Sequence, residues 1–240
     1  MKFNIMKNNK ILLLSLDSTL SSVSASITED GILKSFVLND EKFGFSKNII
    51  NVTESALKKA GKNISELTHI AAGCGPGSFT GIRVCLSTAK GFVLSTGAEE
   101  FGVNILDAIS NQISCKFSKI SIVESKRNSV FLKTFDNIKM IESEIIEVDY
   151  GEVIEFINRF CNSLEKDSKL VIAGSIPNEI KIELEKEDKF LIKNISVNAK
   201  LISNYINSQL KLSKKGLKTS VLKEIRPIYI TQPIVTKKAD

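Results

Sequence analysis

The sequence predicts an α/β fold with a mixed sheet, on three observations. First, an apolar run of strand length at residues 11–16 (ILLLSL) is followed by Val23, Ala25 and Ile27, which alternate with serines and Thr28. Glu29-Asp30-Gly31 then makes a hairpin turn into a third run at 32–38. Alternation with period two marks strands, and an acid-glycine pair marks the turn. Second, helical spacing takes over at 46–60 and again at 82–94, with a short strand-like run, Ile70-Ala71-Ala72, between them. Third, a glycine-rich loop joins that short strand to the second helix. The order hairpin, strand, helix, strand, helix is that of an α/β domain.

Each element follows from local chemistry. Asp17-Ser18-Thr19 ends the first run with turn residues. The serine alternation at 23–28 reads as a half-buried strand. Ser46 can cap a helix whose apolar positions are Ile49, Ile50, Thr53, Ala56, Leu57 and Ala60, with Gly61 as its stop. On the helix at 82–94, Leu86, Ala89 and Val93 share one face. Leu106, Ile109 and Ile113 mark a short helix, and residues 120–123 and 130–135 read as strands around Lys126-Arg127-Asn128. Residues 151–164 are amphipathic, with Val153, Ile154, Ile157, Phe160 and Leu164 on one side. A strand at 170–173, a helix with Pro177 in its first turn, a strand at 190–192 and a long helix at 197–212 complete the pattern. The expected division is a first domain, 1–102, and a smaller, divergent second domain, 103–240, meeting near Gly102-Val103.

Composition narrows the function classes. The chain has 240 residues, 42% of them hydrophobic, enough for one large or two small cores. Lys and Arg number 33 against 27 Asp and Glu, a formal net charge of +6. The excess is mostly lysine and spread along the chain, as on a solvated surface. Its one concentration, Lys211, Lys214, Lys215, Lys218 and Lys223, reads as an exposed loop, with contact to RNA as the alternative. Cys74, Cys85, Cys115 and Cys161 form no C-x-x-C pair and His69 is the one histidine, so the sequence argues against zinc. Cys85 reads as a core residue. No secretory signal or membrane-length apolar run is visible, and a reduced, cytoplasmic protein is expected. The polar first ten residues read as a frayed extension, with Met6 as an alternative start.

The most informative stretch is residues 73–83, G-C-G-P-G-S-F-T-G-I-R. Gly73, Gly75, Gly77 and Gly81 allow close backbone approach, Pro76 stiffens the loop, and Ser78 or Thr80 can cap the helix that follows. A helix start with free N–H groups attracts anions. The loop is therefore built to meet a phosphate or another protein backbone. Neither standard phosphate signature fits: Ser78 stands where the dinucleotide fingerprint needs glycine, and Ile82-Arg83 follow Gly81 where the Walker loop needs Lys then Ser or Thr.

Residues 75–83 (GPGSFTGIR) followed by Ala89-Lys90-Gly91 resemble the signature of the TsaB (YeaZ) family, subunits of the bacterial machinery that places threonylcarbamoyl on tRNA adenosine. The opening segment 11–27, Phe45-Ser46 with Ile49-Ile50, Leu106-Asp107-Ala108 and Pro227-Ile228-Tyr229 resemble other family segments. Phe45 replaces the usual His, and the Arg expected near Thr231 is absent. Glu124-Ser125-Lys126-Arg127 and Ser129-Val130-Phe131 depart from the family's basic-acidic motif. The resemblance implies two ribonuclease-H-like domains of the actin and Hsp70 superfamily, with the last helix packing back on the first domain.

The resemblance also implies a non-catalytic adapter. It would pair with the paralogous, metal-bearing TsaD subunit, act with the ATPase TsaE, reach tRNA indirectly, and self-pair when alone. ATP or ADP would belong to the assembled complex, and no metal or membrane to this chain. The residues expected to bind or position a partner are Asp17, Ser18, Gly75, Pro76, Gly77, Ser78, Phe79, Thr80, Gly81 and Arg83. Ile49, Ile50, Ile82 and Leu86 are the expected interface.

Two enzyme classes stand beside the adapter. Asp17, ending a buried strand, can hold Mg²⁺ or orient a phosphate, which an ATPase or kinase of the actin-like class would use. Its structural alternative is an Asx-turn to its own backbone. Arg83 can pair with a carboxylate or phosphate, or clamp the loop to its own domain. A metallopeptidase would need ligands that a lone His69 does not supply, and Ser78 and Thr80 have no His to activate them.

Overall fold

Buried strand β1 (Leu12–Asp17) pairs antiparallel with β2 (Val23–Glu29), and β2 antiparallel with β3 (Ile32–Asn39). The computed structural model describes residues 10–41, 44–114, 116–125, 128–137, 139–165, 169–216 and 224–230. Residues 1–9 with Met6, and Cys115, Lys126, Arg127, Lys218, Lys223 and Thr231, lie outside the described residues. Asp30 and Gly31 take φ values of 50° and 82° and turn β2 into β3. β4 (His69–Gly75) and β5 (Glu99–Asn104) then add in parallel, for the order β3-β2-β1-β4-β5. The connections are α1 (Phe45–Ala60) and α2 (Phe79–Thr96), and α3 (Ile105–Asn111) follows β5.

The same scheme recurs. β6 (Lys119–Glu124), β7 (Ser129–Asp136), β8 (Ile141–Glu142) and β9 (Ile146–Asp149) lead into α4 (Tyr150–Asn162). β10 (Leu170–Ser175), α5 (Asn178–Leu184), β11 (Phe190–Asn194) and α6 (Ala199–Lys214) follow. The second sheet runs β11-β10-β6-β7-β8, with β9 also on β7. β7 is antiparallel to β6 and to β9, and β10 is parallel to β6 and β11. The fold is α/β, two units with mixed sheets, as the sequence predicts.

Three apolar layers hold these units together. Leu12, Leu14 and Leu16 of β1 face α1 and α2, packing with Ile49, Val52, Ile82 and Cys85. The opposite face offers Leu13 and Ala71 to a central layer with Ile105 and Ile109 of α3, Ile202 and Tyr205 of α6, and Val123 and Val171 of the second sheet. α4 and α5 cover the far face through Val153, Ile157, Ile180 and Leu184. In the central layer the last helices cross over. α6 packs on β1, β2 and β4, while α3 packs on β6, β7 and β10 as well as on β4 and β5.

Four local expectations change. The serine-bearing strand β2 is buried on both faces, because α6 covers the serines: Ser26 Oγ donates to the Ala199 carbonyl at 3.0 Å and Ser24 Oγ accepts from Ala199 N–H at 2.9 Å. Gly44, in the left-handed region at φ 79°, caps α1 instead of Ser46; its carbonyl accepts from Lys47 and Asn48 N–H. β5 runs through the boundary expected at 102–103. Lys211 and Lys214 lie in the last turn of α6, and Lys215 is its C-cap, so this part of the basic run is helix end and not loop; cations there suit the helix dipole.

Candidate functional site

The site grows from the end of β1. Asp17 is its last residue and is fully buried. One carboxylate oxygen accepts from Thr19 Oγ1 at 2.8 Å and from Thr19 N–H at 3.3 Å. That is an Asx-turn. The other oxygen is buried with no hydrogen-bond partner among the described residues. Burial pushes the carboxyl up to about 6, against the opposing pull of the two Thr19 bonds. Asp17 is thus sealed within the fold.

The seal is the glycine loop. A Cβ on Gly73 would stand 2.5 Å from the Asp17 carboxylate. Cβ atoms on Gly77 and Gly81 would collide with the carbonyls of Thr19 and Ser18. The loop therefore lies directly on the β1–β2 turn. Ser78 N–H donates to the Thr19 carbonyl at 2.6 Å, and Ser18 Oγ donates to the Gly81 carbonyl at 2.7 Å. Ser78 is the N-cap of α2, its Oγ accepting from Gly81 N–H at 3.4 Å. The loop's close contacts are with the chain's own backbone at Ser18 and Thr19.

A segment from the far end of the chain closes the other side. Ile228 N–H donates to the Cys74 carbonyl at 2.8 Å, and Ile225 is buried in the core beneath α1 and α2. Gly75, at φ 104°, has the Ile228 carbonyl 3.1 Å from where a Cβ would be. Pro76 follows through a cis peptide. Beyond it Tyr229 reaches Phe79 and Arg83. The two rings lie 5.3 Å apart, the guanidinium carbon stands 3.8 Å over the Phe79 ring, and Arg83 Nε donates to Tyr229 Oη at 3.1 Å.

The expected residues divide by exposure. Asp17, Ser18, Gly75, Pro76, Ser78 and Gly81 are buried and Gly77 is half-buried, whereas Phe79, Thr80 and Arg83 are exposed. Of the four interface positions, Ile49, Ile82 and Leu86 are buried in the chain's own core and cannot form an outer face; Ile50 is exposed. The helices spend those side chains on the sheet beneath them. Tyr229 is the residue that sequence reasoning left without a role. Its signal was Pro227-Ile228-Tyr229, but 146 residues separate it from Arg83.

Other reactive groups are sequestered. Cys74 and Cys85 are buried, and burial pushes the Cys74 thiol up to about 11. His69 Nδ1 lies 2.7 Å from Thr68 Oγ1 and its ring stacks on Phe101, while burial lowers its pKa. Among the described residues no three His, Cys, Asp or Glu side chains gather as a metal site, and no helix is long and apolar enough to cross a membrane.

A family model described as TsaD, tRNA N6-adenosine threonylcarbamoyltransferase, matches residues 42–238. Two similar relatives carry the name tRNA threonylcarbamoyladenosine biosynthesis protein TsaB. One, from Buchnera aphidicola of Schizaphis graminum, is 26% identical over 170 residues, 71% of this chain and 73% of that one. The other, from Buchnera aphidicola of Baizongia pistaciae, is 27% identical over 195 residues, 77% and 82% of the two chains. Among solved structures, a Pseudomonas aeruginosa protein described as similar to peptidase YEAZ superposes with a TM-score of 0.67 at 14% identity, covering 92% of this chain and all of that one.

Proposed function

This chain belongs to the TsaB (YeaZ) family of tRNA threonylcarbamoyladenosine biosynthesis, and on that premise we propose that it is the family's non-catalytic adapter. It pairs with a TsaD-like paralogous subunit that carries the metal and the transfer chemistry. A TsaE-like ATPase and the tRNA join the assembled complex, ATP or ADP enters there, and the chain self-pairs when the partner is absent. It works in the cytoplasm, where the tRNA is.

One observation carries the reading: the only carboxylate at the end of β1 is buried under a loop packed on its own backbone. A phosphate-handling acid must be open to its ligand; Asp17 is fully buried beneath the loop. The glycine loop then serves shape, fixing α2 against β1. The outer sides of α1 and α2, with Ile50, Phe79 and Arg83 exposed, are the proposed docking face.

The test is a threonylcarbamoylation assay with the paralogous subunit, the ATPase, tRNA and ATP, with and without this chain. Product should depend on the chain, and the two paralogues should co-elute at micromolar concentration. Two separate species and no stimulation would remove the adapter reading. The alternative, an actin-like ATPase or kinase, requires the lone chain to bind Mg·ATP tighter than about 10 μM, near −7 kcal/mol.

A further inference from the structure

We infer that Arg83, held between Phe79 and Tyr229, is the anchor that receives an acidic side chain from the paralogous subunit. The inference rests on the adapter reading and adds to it the chemistry of the contact.

The arginine is exposed, yet its posture is fixed in two ways. Its face lies on the Phe79 ring, and its Nε is taken by Tyr229 Oη. What remains is the outer edge, two Nη groups in the fork that matches a carboxylate. Among the described residues no carboxylate forms an ion pair with Arg83. Holding a long side chain in place beforehand removes much of the entropy cost of using it. An exposed Arg with two aromatics is also the composition that dominates protein interface energetics.

The surroundings favour protein over nucleic acid. The one other charged residue on α2 is Lys90, which is paired with Glu100 at 2.8 Å. The rest of the exposed helix face is neutral, including Thr80, Ser87 and Gly91. A phosphate backbone is gripped by a track of cations, and α2 offers only Arg83 and Lys90; the other exposed cations nearby, Arg226 on the Tyr229 segment and Lys47, Lys58 and Lys59 on α1, lie on other elements. A single pre-set guanidinium suits a single carboxylate on a partner surface.

The experiment uses the full chain and the purified paralogous subunit, with calorimetry at low and moderate salt. Arg83→Ala should weaken binding about 30–100-fold and Arg83→Lys about 10-fold, since lysine keeps charge but loses the fork. Tyr229→Phe keeps the ring and loses the hydroxyl; about threefold is expected. Thermal melting of all three should stay within a few degrees of the parent. Variants that bind as the parent does would overturn the inference and leave the adapter reading standing. Loss of binding that merely follows loss of folded protein would also overturn it, making Arg83 an internal clamp. So would binding of tRNA to the lone chain that Arg83→Ala abolishes, because the occupant would then be phosphate. No binding by the parent chain sinks the adapter reading, and the inference with it.

Discussion

The first and second halves of this molecule share a strand order but treat the end of their first strand differently. β1 ends in Asp17, fully buried and sealed by the glycine loop. β6 ends in Glu124, exposed, with its Oε1 accepting from Tyr150 Oη at 2.9 Å. From the end of β4 into α2 come Gly73, Gly75, Gly77 and Gly81, each at a position where a Cβ would press on a neighbouring residue. Near the end of β10 a single glycine, Gly174, lies against the Ile122 carbonyl, and the seven-residue α5 begins at Asn178. The glycine signature therefore reports a steric need of the first half: a turn, a loop and an 18-residue helix stacked without room for side chains. The second half meets the same need at one position, Gly174, whose Cβ would collide with the Ile122 carbonyl, and does without the rest of the signature.

The sharpest way to break this contrast is Gly81→Ala. Its methyl would collide with the Ser18 carbonyl, and backbone cannot give way as a flexible side chain can. A loss of about 3 kcal/mol is expected in urea unfolding. Gly151→Ala, in the first turn of α4 with nothing within 4 Å, should stay within about 0.5 kcal/mol. Equal effects would mean that the loop is not the tight element described.

Asp17→Asn probes the seal by pH. The folded pKa of about 6 lies above the ordinary 3.8. A raised folded pKa means that the protonated form suits the fold, so its contribution is complete below about pH 4 and is lost as pH rises through 6. The change is on the order of 3 kcal/mol. The parent should therefore weaken between pH 4 and 6 relative to Asp17→Asn, and the difference should level off above 7. A flat difference would show that the carboxylate reaches water.

A smaller effect tests the helix crossover. Ser24→Ala leaves Ala199 N–H without its 2.9 Å acceptor where α6 meets β2. About 1–2 kcal/mol should be lost. Matching loss of protection in amide exchange over α6 would tie that helix to the first sheet; an unaffected α6 would free it from that sheet.

These same places mark how far the sequence could be read. Strands with clear alternation or continuous apolar runs, such as β1, β2 and β7, were legible. β5 was not: Glu99-Glu100-Phe101-Gly102 offers two acids and a glycine where a strand signal should be, and pairing with β4 overrides it. The two-residue β8 is too short to carry any period. The burial of Ser24 and Ser26 depends on a helix that arrives 173 residues later, which no local pattern contains. At the site, Asp17 and the glycines could be picked out because rare residue types crowd there. Tyr229 could not be joined to Arg83, because only tertiary contact brings them together. Periodicity also marks a buried stripe more readily than an outer one, and Ile49, Ile82 and Leu86, three of the four expected interface positions, lie on that stripe.

The smallest expected change has the opposite sign to the first. Gly91 lies on the exposed side of α2, inside the Ala89-Lys90-Gly91 run, with nothing within 4 Å of a Cβ position. A glycine within a helix costs roughly 0.5–1 kcal/mol against alanine, because its unfolded backbone has more freedom to lose. Gly91→Ala should therefore raise stability by about that amount, whereas Gly81→Ala on the same helix lowers it. If the outer face of α2 is where the paralogous subunit docks, the added methyl stands between two helices and binding should weaken even as the melting temperature rises. A variant more stable and equally tight in binding would move the docking surface off this part of the helix. One less stable would mean that the face is already covered.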